Sequence, residues 1–211
     1  MSLTTPSLTT LVIETATAAC SVALLQNGSV IAQAHEVVGR GHAERLVPMI
    51  AELPGQGRAD NVLVDCGPGS FTGIRVGLAA AVGLGIGWGA EVRGYSSLAL
   101  VAAAGFAARP DARDLAVVLE GGHGEVFMQW FSNPLAASDA LVSLRPEAAL
   151  AALGGGLAIG NGVHRLAALD PALDLIDTLP NAADVPLLSS AFIALAPRPI
   201  YGRAPDAVPN A

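Results

Sequence analysis

The sequence predicts an α/β protein of two lobes, with a mixed sheet in the first lobe. Three observations predict it. Short β-rich runs surround an Asn-Gly pair, apolar strands then alternate with helices, and a second, smaller set of strands and helices follows a polar segment. Because a hairpin precedes the alternating part, we expect antiparallel and parallel strands in one sheet, unlike the pattern of a plain dinucleotide-binding domain.

The first lobe is predicted to contain five strands and three helices. Asn27-Gly28 is a strong hairpin signal and joins the second and third strands. Pro48 is expected to bend the first helix or delay its first full turn. The strands are expected at residues 11–13, 20–25, 30–38, 61–65 and 91–94, and the helices at 42–53, 70–89 and 97–106.

A polar segment at 107–114 is predicted to be a linker, which divides the chain into a lobe at 1–106 and a smaller lobe with a proline-rich tail at 107–211. The tail contains too much proline for regular structure and is expected to lie over the surface or to be disordered. In the second lobe we expect strands at 115–119, 125–131 and 157–159, and helices near 146–153, 163–169 and 185–196.

Composition narrows the class of protein. The 211 residues are 52% hydrophobic, enough for a real core, and the net charge of -7 argues against a chain that holds nucleic acid by itself. Cys20 and Cys66 are read as small buried residues, and no disulfide framework is expected. The N-terminus lacks the pattern of a signal peptide, and the apolar stretch at 76–88 is too short to span a bilayer. We therefore expect a cytoplasmic protein.

The segment DCGPGSFTGIR, residues 65–75, lies between a strand and a helix, where phosphate-binding loops occur. It fits neither the P-loop nor the dinucleotide fingerprint, because Thr72 stands where each pattern needs glycine and no lysine follows. Pro68 also removes one backbone N–H. Ser70 or Thr72 is expected to cap the helix. A structural turn or interaction loop is favoured, and contact with a nucleotide stays open.

The helix after this turn carries a stripe of small residues with an apolar ridge beside it. Each interior glycine costs about 0.5–1 kcal/mol relative to alanine, so close approach of another backbone must offset that cost. Packing of this stripe inside the lobe is slightly favoured over packing at a subunit interface. The helix can do both, because it has more than one face. The stripe is Gly73, Gly77, Ala81, Gly85 and Gly89, and the ridge is Ile74, Leu78, Val82 and Ile86.

No catalytic residue and no metal site are predicted. The four histidines are far apart in the sequence and have no metal-ligand spacing, and Ser70 does not stand in a GxSxG elbow. Glu14 and Asp65 are candidates to converge at strand ends, although carboxylates there are also ordinary caps. The Gly121-Gly122 and Gly154-Gly155-Gly156 segments are interpreted as loops.

Four stretches of the sequence resemble the TsaB (YeaZ) family, the non-catalytic partner in bacterial synthesis of N6-threonylcarbamoyladenosine in tRNA. They are LVIETATAACSVALLQNG, RGHAERLVPMI, VDCGPGSFTGIRVGLAAAVGLGIGWGAEVRGYSSL and PRPIYGRAPDA. The resemblance covers most of residues 11–106 in order. The second lobe matches mainly through VVLEGGHGEVFMQW and AIGNGV.

The resemblance implies a fold and a set of partners. The fold is two-lobed, of the actin, sugar-kinase and chaperone-ATPase class with its ribonuclease H-like motif, and here the second lobe is reduced. The main partner is a larger paralogue, TsaD, which holds the metal and transfers a threonylcarbamoyl group to tRNAs that read ANN codons. An ATPase, TsaE, joins the complex, and the chain is expected to form a homodimer when alone. Contact with tRNA is expected only through the complex, and none with a membrane.

The resemblance also places the interface on the first two helices of the first lobe. The residues assigned to it are His42, Glu44, Arg45, Leu46, Met49, Ile50, Ser70, Phe71, Gly73, Ile74, Gly77, Ala81 and Gly85. A degenerate nucleotide site is expected at Glu14, Thr15, Thr17, Gly67 and Gly69. In the fold class, the loop after the first strand offers Asp with a nearby glycine, whereas this chain has Glu14 there and no glycine in residues 14–17.

No cofactor is expected to be required by the chain itself, while ATP or ADP with Mg²⁺ is considered at a shared interface of the complex. Two other hypotheses stay open at this point. One is an ATP-dependent phosphotransferase or hydrolase of the same fold, and the less favoured one is a peptidase, since some relatives carry a glycoprotease-like name. Nothing in the sequence supplies protease chemistry.

Overall fold

The computed structural model describes residues 7–202, which form two sheets with helices packed against them. The first sheet has the order β3-β2-β1-β4-β5, in which β2 is antiparallel to both neighbours and β1, β4 and β5 are parallel. The predicted mixed sheet is confirmed. Its strands are β1 (Thr9–Glu14), β2 (Ala19–Gln26), β3 (Ser29–Val37), β4 (Asn61–Asp65) and β5 (Glu91–Tyr95).

The hairpin between β2 and β3 turns at the predicted pair. Asn27 has φ 51° and Gly28 has φ 81°, and both values belong to the left-handed region that a tight two-residue hairpin turn requires. The side-chain oxygen of Asn27 also accepts a hydrogen bond of 3.1 Å from the backbone N–H of Leu8. The turn therefore ties the end of the hairpin to the segment that enters β1.

Helix α1 (His42–Glu52) buries one face against the sheet and continues through Pro48. Leu46, Met49 and Ile50 lie on the buried face, as their spacing predicts. On the outside, Arg45 donates to Glu36 on β3 at 2.7 Å and to Glu52 at 3.0 Å. A short 3-10 helix (Pro54–Gly57) then leads into β4.

Helix α2 (Phe71–Trp88) packs its stripe of small residues onto the first sheet. A Cβ atom added at Gly73 would overlap the carbonyl oxygen of Thr15, one at Gly77 would overlap the Thr15 hydroxyl, and one at Gly85 would overlap Val92. The Thr15 hydroxyl donates to the carbonyl oxygen of Gly73 at 2.8 Å. The close approach that the glycines permit is thus made inside the lobe.

The N-terminus of α2 is capped as the sequence predicts, since the Ser70 hydroxyl accepts a hydrogen bond from the Gly73 N–H at 3.2 Å. The inclusion of Gly89 in the stripe is wrong, because Gly89 is exposed and ends the helix at φ 69°. Within residues 7–202, α2 is also the one helix that is long and apolar enough to cross a bilayer, by length and composition alone. Core helices of folded domains pass the same test, and one face of α2 packs on the sheet.

The second sheet is smaller and has the order β11-β10-β6-β7-β8, with β9 also paired to β7. Three of its strands are absent from the prediction because they have only two or three residues each and no pattern of their own. The strands are β6 (Asp114–Glu120), β7 (Val126–Ser132), β8 (Ala136–Ala137), β9 (Val142–Leu144), β10 (Ala158–Ile159) and β11 (Leu175–Ile176). The helices are α4 (Pro146–Leu153), α5 (Val163–Ala167) and a 3-10 turn (Gly122–Gly124).

The helix predicted near 185–196 is wrong. Two 3-10 segments, Ala182–Leu187 and Ser190–Phe192, occupy this part of the chain. Pro186 lacks the N–H that a regular α-helix would use, and the segment is instead held by side-chain bonds. The Ala182 N–H donates to the hydroxyl of Ser21 on β2 at 3.1 Å. This late segment therefore packs on the first lobe.

Helix α3 (Ser97–Ala108) lies between the two sheets. One apolar core contains most of α3 together with residues of both sheets, including Val12 and Leu63 from the first and Leu115 and Val117 from the second. The predicted linker is shorter than expected, because α3 runs to residue 108 and β6 starts at residue 114. The division of the chain at 106 stays a prediction.

The segment at 194–202 returns to the first lobe without regular structure. Gly94 and Leu195 form an isolated antiparallel bridge, and the Ile200 N–H donates to the carbonyl oxygen of Cys66 at 2.7 Å. Cys20 and Cys66 are free and buried, as predicted. The rest of the proline-rich tail and the first six residues lie outside the described part of the chain.

Candidate functional site

A cleft of about 790 Å³ lies between the two lobes. Loops from both lobes line it: residues 16–18 after β1, residues 69–71 before α2, residues 120–123 after β6, and Asn161 after β10. The segment at 199–202 closes one side. Its volume is in the range of small-molecule sites, which makes it the candidate binding site of this chain.

The two loops of the first lobe are bonded to each other at the floor of this cleft. The Ser70 N–H donates to the carbonyl oxygen of Ala16 at 2.6 Å. A Cβ atom at Gly69 would overlap that same oxygen, so Gly69 is needed for close contact between the loops. Because the Ser70 N–H and the Ala16 carbonyl are already hydrogen-bonded to each other, the loops do not form an open cradle for phosphate.

Glu14 and Asp65 meet beneath the same loops, where both side chains are fully buried. Asp65 accepts hydrogen bonds from the Gly67 N–H at 2.6 Å and from the Ser97 hydroxyl at 2.5 Å. Glu14 accepts one from the Ala16 N–H at 2.8 Å. The suggestion that the two carboxyl groups converge at the strand ends is confirmed.

Burial raises the pKa of Glu14 well above its usual range, and the charge of Asp65 raises it further. Burial also raises the pKa of Asp65, but its N–H and O–H donors favour the ionised form and partly oppose that effect. Both effects favour the protonated form of Glu14, and the donors to Asp65 make that residue the one of the pair that ionises more readily.

This arrangement does not fit the Mg²⁺-nucleotide site that the fold class implies. Mg²⁺ is held by ionised, accessible carboxylates and water, whereas these two carboxyl groups are fully buried, and burial raises the pKa of both. Among residues 7–202, no group of three or more His, Cys, Asp or Glu side chains is placed to hold a metal ion.

Replacing Glu14 by Gln is expected to make stability less dependent on pH. The pKa of Glu14 is higher in the folded state than in the unfolded chain, where it is near 4.5. Protonation of Glu14 therefore contributes fully to stability below pH 4.5, and this contribution is lost as pH rises through the folded-state pKa. The free energy of unfolding of the native chain should therefore fall relative to Glu14→Gln as pH rises from about 4.5 through the folded-state pKa of Glu14. Urea unfolding across this range measures the difference, which is about 1.4 kcal/mol for each unit of pKa shift.

Glu44→Gln is the matched control for this experiment, since Glu44 is exposed on α1. As a surface substitution, it should change the free energy of unfolding by no more than about 0.5 kcal/mol. A constant difference in the free energy of unfolding between Glu14→Gln and the native chain across the pH range would contradict the raised pKa of Glu14.

The outward side of α2 carries several exposed apolar residues. Ile86 is 80% exposed, Phe71 63% and Val82 41%, while Gly83 and Gly87 have no neighbouring atom where a Cβ would stand. We call Phe71, Val82, Gly83, Ile86 and Gly87 the outer face of α2. On the adjoining helix α1, Val47 is exposed as well. Exposed apolar residues on one element are typical of a surface that another protein covers.

Comparison with known proteins identifies the family. The model of the family described as "TsaD: tRNA N6-adenosine threonylcarbamoyltransferase" matches residues 29–145, more than half of the chain. The tRNA threonylcarbamoyladenosine biosynthesis protein TsaB of Haemophilus influenzae is 35% identical over 138 residues, and that of Escherichia coli is 38% identical over 122 residues. The structure of YeaZ from Pseudomonas aeruginosa superimposes with a TM-score of 0.76 at 26% identity, over 92% of this chain and 99% of that one.

The chain belongs to the TsaB (YeaZ) family. The matched regions cover 63% and 56% of this chain, and 58% and 52% of the H. influenzae and E. coli proteins, so they span little more than half of those relatives. The resemblance stated from the sequence motifs is confirmed. The two-lobed α/β fold of the actin and sugar-kinase class is confirmed as well, by the sheet order and the YeaZ superposition.

Most residues of the predicted interface point into the core of this TsaB-family chain. A partner that binds α1 and α2 would therefore contact the exposed residues that lie between the buried ones on each helix. The buried glycines of α2 would not contact that partner. Exposed members of the predicted set are Glu44, Ser70 and Phe71, and Arg45 is partly exposed. The buried members are His42, Leu46, Met49, Ile50, Gly73, Ile74, Gly77, Ala81 and Gly85.

The residues predicted for the nucleotide site also fall into an accessible group and a buried group. Thr17 and Gly69 line the cleft, whereas Glu14, Thr15 and Gly67 lie buried under it. Sequence reasoning did not assign six further polar or charged residues of the lining to this site: Arg40, Arg75, Glu120, His123, Asn161 and Tyr201. Two stretches that carry the family resemblance in the second lobe contain Glu120, His123 and Asn161. These stretches, VVLEGGHGEVFMQW and AIGNGV, could have indicated that the second lobe contributes to the site.

Proposed function

We propose that this chain is a non-catalytic docking subunit of the complex that forms N6-threonylcarbamoyladenosine in tRNAs reading ANN codons. It supports a TsaD-type catalytic subunit, which binds the metal and performs the transfer. Membership of the TsaB family and the names of the H. influenzae and E. coli relatives support the pathway. The docking role is the part of the proposal that rests on the geometry of this chain.

The outer face of α2 is the observation that carries the proposal. An 18-residue helix with Ile86 80% exposed leaves apolar surface in water. Covering such surface stabilises a complex by about 25 cal/mol per Å² before the costs of association are subtracted. The same surface is available for a second copy of this chain, so a homodimer is expected when the catalytic subunit is absent.

The lack of a catalytic role is supported by the buried carboxyl groups. Glu14 and Asp65 are buried under bonded loops, and the N–H groups of Gly67 and Ser70 are already hydrogen-bonded inside the lobe. A phosphotransferase or hydrolase would need these groups accessible and ionised. We therefore assign the chemistry to the partner.

The net charge and the family of this chain indicate how it relates to tRNA and to the other proteins of the complex. With a net charge of -7, this chain is not expected to hold tRNA by itself, so tRNA is contacted through the complex. We expect a TsaE-type ATPase as the third component and a complex that works in the cytoplasm.

Reconstitution of tRNA modification tests the proposal. Purified TsaD-type and TsaE-type proteins, the threonylcarbamoyl donor and unmodified tRNA are combined with and without this chain, and the modified nucleoside is measured by mass spectrometry. The modified nucleoside should form at least about tenfold faster with the chain present. The chain and tRNA alone should form none.

Two results would contradict the proposal. If omission of the chain left the rate unchanged, it would have no supporting role in the complex. If the chain formed the modified nucleoside without a TsaD-type subunit, it would be the catalyst.

A further inference from the structure

The segment at 194–202 places one aromatic residue beside the start of α2. Tyr201 is 57% exposed, and its hydroxyl accepts a hydrogen bond from the Arg75 guanidinium at 3.0 Å. Its ring centre lies 6.5 Å from that of Phe71. Arg75 and Phe71 are both exposed and stand one turn apart on α2, so their side chains share one face of the helix. Tyr201 therefore adjoins the outer face of α2, although it belongs to a distant part of the chain.

The fold fixes the position of Tyr201 from both sides. The Ile200 N–H donates to the carbonyl oxygen of Cys66, in the first lobe, at 2.7 Å. Gly202 packs against the ring of Phe127, in the second lobe, so closely that a Cβ atom there would overlap the ring. The backbone on either side of Tyr201 is thus held by a different lobe. A residue held in this way loses little freedom when a partner covers it, which lowers the entropy cost of binding.

The Arg75 guanidinium is also held in place, yet it keeps free donors. It lies 3.2 Å from the centre of the Phe71 ring and 5.9 Å from that of Tyr201. Stacking on a ring uses the flat face of the guanidinium group and leaves the N–H groups in its plane available. One of these groups donates to Tyr201, which is neutral, and no carboxylate pairs with Arg75 in the part of the chain that the structure describes. Arginine binds a carboxylate through two such N–H groups at once.

Other arginines on the surface are neutralised within the chain. Arg93 pairs with Glu91 at 2.8 Å, and Arg109 pairs with Asp174. Arg75 instead carries an unpaired charge at the edge of an exposed apolar surface. A partner that covered this surface would also take the guanidinium group out of water, and a buried charge without an opposite charge is costly. The partner must therefore supply an acidic group at this point.

We infer that the TsaD-type subunit places a carboxylate against Arg75, and that Tyr201 holds the guanidinium group in position for it. Arginine and tyrosine are enriched among the residues that contribute most to protein interfaces. The inference rests on the proposed docking function. It adds to the apolar contact on α2 a charged contact that depends on the segment at 194–202.

Binding of the purified TsaD-type subunit to the full chain tests the inference. The Kd is measured by calorimetry at about 0.1 M and about 1 M salt, between which the screening length falls from about 10 Å to about 3 Å. Arg75→Gln should raise the Kd at least about tenfold at the lower salt concentration. Its Kd should then rise less steeply with salt than that of the native chain, because the charged contact is gone. Arg113→Gln removes the same charge from an exposed position away from α2 and should leave the Kd unchanged.

A double-mutant cycle tests the role of Tyr201. Tyr201→Phe keeps the ring and removes the hydroxyl, and it should raise the Kd about threefold, as loss of one hydrogen bond does. In the Arg75→Gln background the same change should have no effect, because the hydroxyl acts through Arg75. Circular dichroism and the thermal transition check that each variant is folded, as expected for exposed side chains.

Ile86→Glu separates this inference from the proposed docking function. If Ile86→Glu weakens binding while folded Arg75→Gln binds like the native chain, the inference is overturned and docking on α2 stands. If neither variant weakens binding, the docking function fails together with the inference. A weakened Arg75→Gln whose Kd keeps the salt dependence of the native chain would also overturn the carboxylate contact. Equal effects of Tyr201→Phe with and without Arg75 would overturn the role of Tyr201.

Discussion

Gly73→Ala is expected to lower the free energy of unfolding by about 2 kcal/mol or more, as overpacking of a tight contact does. The new Cβ would overlap the carbonyl oxygen of Thr15, which belongs to the backbone and cannot rotate away. Gly77→Ala should be less severe, because it meets the Thr15 hydroxyl at the end of a short side chain. Urea unfolding followed by circular dichroism measures both changes.

The same helix supplies the control. Gly83 and Gly87 have open space where a Cβ would stand, and neither has a left-handed φ. Alanine there removes the helix cost of glycine, so Gly83→Ala and Gly87→Ala should each raise the free energy of unfolding by about 0.5–1 kcal/mol. Equal effects at Gly73 and Gly83 would show that the stripe does not pack on the sheet as described.

Ile86→Glu is expected to weaken binding of the TsaD-type subunit at least tenfold, about 1.4 kcal/mol, because it places a charge in the middle of the proposed contact. Homodimer formation by the isolated chain should weaken in the same way. Pull-down with the tagged TsaD-type subunit and sedimentation of the chain alone measure the two equilibria.

Leu169→Glu is the matched control for this variant. Leu169 is also an exposed apolar residue, but it lies in the second lobe, away from α2. It should bind the partner like the native chain. Since Ile86 is 80% exposed, Ile86→Glu should remain folded. Unchanged association of folded Ile86→Glu would remove the outer face of α2 from the interface.

Local sequence patterns predicted most of the fold. Asn27-Gly28 specified the hairpin, and the spacing of Leu46, Met49 and Ile50 specified the buried face of α1. The prediction near 185–196 failed because an apolar run there resembles a helix, whereas Pro186 and contacts with Ser21 impose 3-10 turns. A contact between residues this far apart in the chain leaves no local signal.

The candidate site was less predictable for the same reason. The stripe of small residues on α2 indicated close packing, but only the structure shows that the sheet is on the glycine side and that Ile86 faces outward. The cleft joins Arg40, Arg75 and Tyr201, which are distant in the sequence and share no motif. Glu14 and Asp65 were named as a pair from the sequence, whereas their full burial and the raised pKa of Glu14 required the three-dimensional structure.

The docking role through the outer face of α2 is the central claim, and photo-crosslinking from position 86 tests it most directly. A photoreactive phenylalanine derivative replaces Ile86 in one sample and Leu169 in another, and each is irradiated with the TsaD-type subunit. We expect a covalent product with that subunit from position 86 and none from position 169. A complex that forms but gives a product only from position 169 would contradict the claim.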